Sequence, residues 1–315
     1  MALTLPYPDM NFVPLDVLTA AEQNQLVANI EYIAGNVEQS SGLYVGVRKP
    51  LYIDGTNGDD TNDGLTTSTP KKTLAGIMSK INEIGGSADI RFMSAGTYNW
   101  DGGYLDSANF LLEKNASGIG DVVVNFTTKN MNADNCVIEF KTINVIGSYT
   151  FIPVNSYVAF SSNSVIDCNI QMNCSVLMID TSVVKNKVAV NKASTGYYSN
   201  ITVEPSSSVI SGSLMSANQC SNIHIQGAVT VKSPTGTSPS VNLFAIGDGC
   251  DYVMLTNASI VDNTGTQKYT RGLVCSRSIV QCSNAQLTDL QGIANNVNSY
   301  SGGTLRIVGN AVVGE

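Results

Sequence analysis

The sequence predicts an all-β solenoid, a right-handed parallel β-helix entered through a short capping helix. Three observations carry this reading. From about residue 89 to the end, β-branched runs such as "DVVVNF", "CVIEF", "SVLMID" and "NIHIQGAVTV" alternate with Asn, Ser, Gly and Asp, with no amphipathic helix between them. A Cys-containing block recurs at an irregular period of roughly 30 residues, as "QCSNIHIQGA" from 219, "GCDYVMLTNA" from 249 and "QCSNAQLTDL" from 281. Charged residues make up only 13% of the 315, too few to wet the outer faces of long helices. The lack of crossover helices excludes βαβ units. Cys and Asn recurring at like places suit stacked rungs better than a sandwich. A helix ahead of the first rung would cover an otherwise open sheet end.

Net charge is −8 with a pI near 4.7, and no basic patch is evident, so no nucleic-acid partner is expected. The seven Cys, at 136, 168, 174, 220, 250, 275 and 282, form no CxxC pair, and an odd count opposes a closed disulfide framework. They are expected to be free thiols, buried as small apolar groups. "MALTLPYPDMNF" lacks the basic-then-apolar order of a signal peptide. No run approaches the roughly 18 apolar residues of a membrane helix, so no membrane insertion is expected.

Along the chain, residues 1–50 carry one clear helix, about 20–34. Thr19 and Glu22 form a capping box, and Gly35 follows as a stop. Leu26, Ile30, Ile33 and Val37 make a short heptad seam whose Ile content favours three strands. The same spacing fits a single amphipathic helix packed on its own chain. Residues 51–88 hold "DGTNGDDTNDGLT" at 54–66, then a helix with Pro70 at or near its first turn. Leu74, Ile77, Met78, Ile81 and Ile84 give that helix one apolar face, and Gly85 and Gly86 end it. Ile90, Phe92 and Met93 start the body, 89–315, with a turn at Gly96 and a last rung in "TLRIVGNAVVGE".

Two stretches resemble known families. "YIDGTNGDDTNDGLTTSTPKKTLAGIMSKI" followed by "IRFMSAGTY" resembles the entry segment of right-handed β-helix proteins, found in bacteriophage tailspikes and pectate-lyase-like folds. The shared residues are Asp63-Gly64-Leu65-Thr66, Pro70, Lys72, Thr73 and Ala95-Gly96-Thr97-Tyr98. "LPYPDMNFVPLDVLTAAEQNQLVANIEYIAGN" resembles the short N-terminal module of fibre proteins on tailed phages. That resemblance implies virion attachment and trimerisation through Phe12, Pro14, Leu15, Leu26, Ile30, Ile33 and Val37. It further implies a homotrimeric tail fibre or spike that contacts other virion proteins and binds host surface polysaccharide. The expected location is the virion, assembled in the host cytoplasm. The expectation is a structural and adhesive protein, not an enzyme. The alternatives are a polysaccharide depolymerase on the same scaffold, a hydrolase or lyase, or a capsid-attached head fibre or decoration protein.

The candidate sites are few. Asp54, Asn57, Asp59, Asp60, Asn62 and Asp63 offer hard oxygens for calcium. Counting from Asp59, however, the twelfth position of an EF-hand loop is Pro70, not Glu, and acids of this kind also shape turns. No metal, cofactor or catalytic residue is therefore assigned, with calcium the one cofactor left open. Tyr197, Tyr198, Tyr252 and Tyr269 are candidates to stack on sugars. Hydrolysis needs two carboxylates; Asp167 with Asp180, or Asp251 with Asp262, could lie on adjacent rungs. His224 alternates with Ile223 and Ile225 and is expected on the surface.

Overall fold

The computed structural model describes residues 48–308, apart from 85, 207–210, 233–239, 247–252, 263–268, 277–278, 284–285, 290–296 and 301–303. The seven residues expected to serve attachment, Phe12 to Val37, and the expected helix about 20–34 lie outside the described residues. What is described is the expected parallel β-helix. One 24-stranded sheet winds round an apolar interior, and its strand pairings are parallel.

Each rung has three faces. The first face stacks Lys49–Ile53, Ser87–Phe92, Asn109–Lys114, Val137–Lys141, Tyr157–Ser161 and Val176–Asp180, and then the first half of Thr195–Val203. The second stacks Gly96–Trp100 and Val122–Phe126, then the first halves of Asn144–Val154 and Val165–Asn173, then Val183–Val184. The third stacks Gly103–Asp106, Met131–Asp134, the second halves of those two long strands, Val188–Asn191 and Ser211–Ala217.

Strand periodicity explains the interior. Alternate side chains point inward, so like positions pile up from rung to rung. One inward column reads Ile90, Leu112, Phe140, Phe160, Ile179, Tyr198 and Ile225, all essentially buried. Within it Phe140 and Phe160 stack with ring centres 4.8 Å apart. Each such ring removes enough apolar surface from water to stabilise the fold by about 1.5–3 kcal/mol.

The corners carry a second regularity. Asn135, Asn155, Cys174, Ala193 and Cys220 all adopt left-handed backbone, at φ between 48° and 59°. Each precedes one member of a buried ladder: Cys136, Ser156, Ser175, Ser194 and Ser221. The Cys136 N–H donates to Ser156 Oγ (2.9 Å), Ser156 N–H to Ser175 Oγ (3.0 Å), Ser175 N–H to Ser194 Oγ (3.0 Å) and Ser194 N–H to Ser221 Oγ (3.2 Å). A small hydroxyl is the side chain that can turn a tight corner and still satisfy the amide of the rung below.

The capping helix, α1, spans Leu74–Glu83 and lays Leu74, Ile77 and Ile81 over the first rungs. Thr73 is its N-cap, accepting from the Gly76 N–H at 3.1 Å. Pro70 is therefore not in the first turn, as the sequence had placed it. Its carbonyl instead accepts from the Asp59 N–H and from Asn62 Nδ2, and Asp60 fixes the helix start by accepting from the Lys72 and Thr73 N–H groups. Gly86, at φ 86°, donates to the Ile81 carbonyl and closes the helix in a left-handed turn.

Two further expectations are corrected. The Cys repeat is in register for its first step only. Ile223 pairs with Val253, so the described parts of the blocks from 219 and 249 stack as the letters suggest, but Cys282 lies over Leu255 inside a strand and not at the corner that Cys220 occupies. Burial of the thiols also holds only in part. Cys136 and Cys168 are buried, whereas Cys174 and Cys220 are exposed on the left-handed corner.

The serine ladder makes a direct prediction. Ser175→Ala leaves the Ser156 N–H without its acceptor inside the corner, which costs about 1–3 kcal/mol. The midpoint of denaturant unfolding should fall accordingly. Ser117→Ala, at an exposed position outside the ladder, should change it by less than about 0.5 kcal/mol.

Candidate functional site

A polar cleft of about 640 Å³ lies where the second face turns into the third. Four successive rungs line it. Asn125, Phe126 and Thr127 come from the first, Ile146, Gly147 and Ser148 from the next, Asp167 and Asn169 from the third, and Asn186 and Lys187 from the fourth.

A bulge shapes it. Ile146 pairs with Asp167 and Thr150 with Asn169, so Gly147, Ser148 and Tyr149 oppose the single residue Cys168. The surplus pushes Ser148 and Tyr149 outward as a lip. Gly147 makes the bulge possible. Its φ is 150°, and a Cβ there would come 2.7 Å from the Phe126 carbonyl oxygen. On the next rung the strands run evenly again, with Ile166 over Val184 and Ile170 over Val188. That register sets Asn169 beside Lys187.

The polar groups are partly committed. Asn186 is almost fully buried; its Nδ2 donates to Asp167 Oδ1 at 3.3 Å, and its Oδ1 accepts from the Lys187 N–H at 2.9 Å. Asn169 Oδ1 is buried with no hydrogen-bond partner. Lys187 makes no ion pair among the described residues. The cleft thus holds one fixed carboxylate, one unpaired ammonium, and amide and hydroxyl groups along its length.

A second concentration of charge lies on the outer first face. Arg91 bridges Asp89 (2.6 Å) and approaches Glu113, which Lys141 also holds (3.1 Å), while Arg48 pairs with Glu139. Here carboxylate and cation alternate from rung to rung, and each neutralises its neighbour, so this patch reads as a stabilising ladder.

Most of the sequence candidates lie elsewhere. In the loop, Asp54 Oδ1 accepts from the Thr56 and Asn57 N–H groups, Asp59 from Thr61, Asp60 from Lys72 and Thr73, and Asp63 from Leu65 and Thr69. Asn62 reaches Pro70, and Asn57 Nδ2 donates to Asp54. The oxygens turn to separate local donors instead of converging. Asp167 and Asp180 are not brought together, because the register places Lys185 over Asp167. Asp251 lies outside the described residues, and Asp262 lies in Val253–Asp262, over Val231.

Of the tyrosines, Tyr198 points inward, 1% exposed, over Gly196, whose missing Cβ makes room for the hydroxyl. A sugar cannot reach it, which corrects that expectation. Tyr197 is exposed, yet one ring face is covered by His224, stacked 5.0 Å away. His224 lies outside, as expected, between buried Ile223 and Ile225; burial against its neighbours lowers its pKa. Tyr269 sits in Tyr269–Ser276, and Tyr252 lies outside the described residues.

No family model matches this chain, and neither does any curated protein. Among solved structures it is similar to the GH136 lacto-N-biosidase from Eubacterium ramulus, with TM-score 0.48 and 10% identity, over 84% of this chain and 60% of that one. It is also similar to a rhamnogalacturonan lyase, with TM-score 0.42 and 11% identity, over 85% of each chain. A third is the pectin methylesterase from Aspergillus niger, with TM-score 0.33 and 14% identity, over 84% and 86%. The chain spans about 60% of the length of the biosidase. These are likenesses of fold, and no residue role passes across them. One expectation is nevertheless corrected: all three neighbours are glycan-active enzymes, so the reading of this chain as a non-enzyme is withdrawn.

The entry loop carries a pH prediction. Burial pushes the Asp60 carboxyl up, but the Thr73 hydroxyl, the N–H groups of Thr73 and Lys72 and the charge of Lys71 outweigh it and hold the group below its ordinary 3.8. The Thr61 N–H and hydroxyl do the same for Asp59, and the Thr69 hydroxyl and Leu65 N–H for Asp63. A folded-state pKa below the unfolded value adds stability that is complete above the unfolded pKa and is lost as pH falls through the folded one. Unfolding midpoints should therefore stay level down to about pH 5 and drop below about pH 4, with a shallower drop in Asp60→Asn. A decline that begins near neutrality would contradict this.

Proposed function

We propose that the chain binds a polysaccharide along the polar cleft and cleaves it, as the catalytic body of a phage spike. The observation that carries this reading is the run of hydrogen-bonding side chains from four stacked rungs, Asn125, Thr127, Ser148, Asp167, Asn169, Asn186 and Lys187, in one open cleft. Such a row suits a long, hydroxyl-rich ligand better than a compact apolar one. The virion setting and a homotrimer anchored through residues 1–50 rest on the sequence resemblance and belong to the same proposal.

Hydrolysis by the usual route asks for two carboxylates facing one bond. The lining residues supply one carboxylate and one ammonium, which fits elimination. Asp167 takes the proton α to a sugar carboxylate, and the electron pair of that C–H bond forms a C=C bond. The glycosidic C–O bond then breaks, and the departing oxygen takes a proton from water. Lys187 faces the charge that builds up on the sugar carboxylate.

Incubation with bacterial surface polysaccharides should release oligosaccharides with ultraviolet-absorbing unsaturated ends. Asp167→Asn should slow release by a factor on the order of 10² to 10⁴, with melting temperature unchanged and the glycan still retained. Release of saturated ends only would overturn the elimination step. Neither retention nor release with any glycan would overturn the proposal as a whole.

A further inference from the structure

The cleft is chemically uneven along the solenoid axis. Its first two rungs offer Asn125, Thr127 and Ser148, which are neutral donors and acceptors. Its last two offer Asp167, Asn169 and Asn186 together with Lys187, the one cation among the lining residues. Rungs repeat at about 4.8 Å, so four of them span roughly 14 Å. A saccharide chain lying along the axis would therefore meet a new set of groups at each rung.

We infer that the ligand is a mixed heteropolysaccharide, which lies along the axis with neutral sugars on the Asn125 end and a single acidic sugar at Lys187. The inference rests on the proposed glycan-binding role of the cleft and specifies its substrate class. Three features support it. Lys187 has no ion-pair partner among the described residues, so its ammonium is open to an anionic group. Asp167 is held on the same side by Asn186, so a uniformly acidic chain would place a second anion against a fixed carboxylate. No cation lines the Asn125 end to balance further negative charge.

The test is retention of the purified full-length chain on immobilised oligosaccharides of three kinds: neutral, uniformly uronate, and alternating neutral and uronate. The alternating kind should be retained best. Lys187→Met should weaken that retention about tenfold or more and abolish its dependence on salt, leaving neutral glycans unaffected. Asn125→Ala should weaken retention of neutral and alternating glycans alike. Best retention of uniformly uronate chains, or equal loss for all three kinds in Lys187→Met, would overturn the inference and leave the glycan-binding role standing. No retention of any kind, with the melting curve intact, would overturn that role itself.

Discussion

In-register stacking of one rung on the next is the constraint on which the rest depends. Each strand hydrogen-bonds only to the rung below and the rung above, so the interior exists only while the columns stay aligned. A slip of one residue would turn every inward side chain outward. The corners prevent the slip. A non-glycine residue in left-handed backbone costs roughly 1–2 kcal/mol, yet the structure places one at the same corner of successive rungs. There the strained residue donates its N–H to the next rung: Asn155 to the Asn173 carbonyl, Cys174 to Lys192 and Ala193 to Gln219. The following Ser then satisfies the amide beneath it. Strain and compensation recur together, and that pairing fixes where each strand begins.

The same constraint makes the cleft. Val137, Tyr157, Val176 and Thr195 are successive partners in one column, and the chain between them is nearly all strand and corner, so these middle rungs carry almost no loop. The flanking steps, from Asn109 to Val137 and from Thr195 to Asn222, take a longer stretch of chain to complete one turn. Bare rungs between loop-bearing ones leave a stretch of sheet that no loop among the described residues overhangs. The extra residues Gly147 to Tyr149 then raise a lip on one side of it. A rigid scaffold of this kind holds polar groups at fixed spacing without a loop having to order on binding.

What could be read from the chain, and what could not, follows from this geometry. Strand alternation is a local signal, so the β-helix, the capping helix over Leu74, Ile77 and Ile81, and the outward set of His224 were all legible. Alternation also decides between Tyr197 and Tyr198, since neighbours on a strand cannot both face out. The Cys282 block misled because its letters repeat while its register does not. The cleft left no local trace at all. Its residues come from separate rungs and form no motif. They become visible only after buried positions such as Ile166 and Val184 are aligned, which brings outward polar residues into one column.

The contrast between the acidic loop and the cleft shows why acidic residues alone do not mark a binding surface. Residues 54–66 are rich in Asp and Asn, yet backbone amides and hydroxyls of the loop and of the helix start that follows it engage all four carboxylates, and they settle below their usual pKa as a result. A carboxylate engaged in this way has little left to offer a ligand. In the cleft there is only one carboxylate, but an amide oxygen beside it has no partner and a nearby ammonium has no counter-ion among the described residues. Leaving a buried polar atom unpaired costs about 1–3 kcal/mol. That cost also falls on buried atoms outside the cleft, Asn173 Oδ1 and Asn222 Oδ1 among them, so it does not by itself mark a ligand site. What singles out the cleft is therefore the meeting of polar groups from four rungs in one open hollow, which a count of acidic residues does not register.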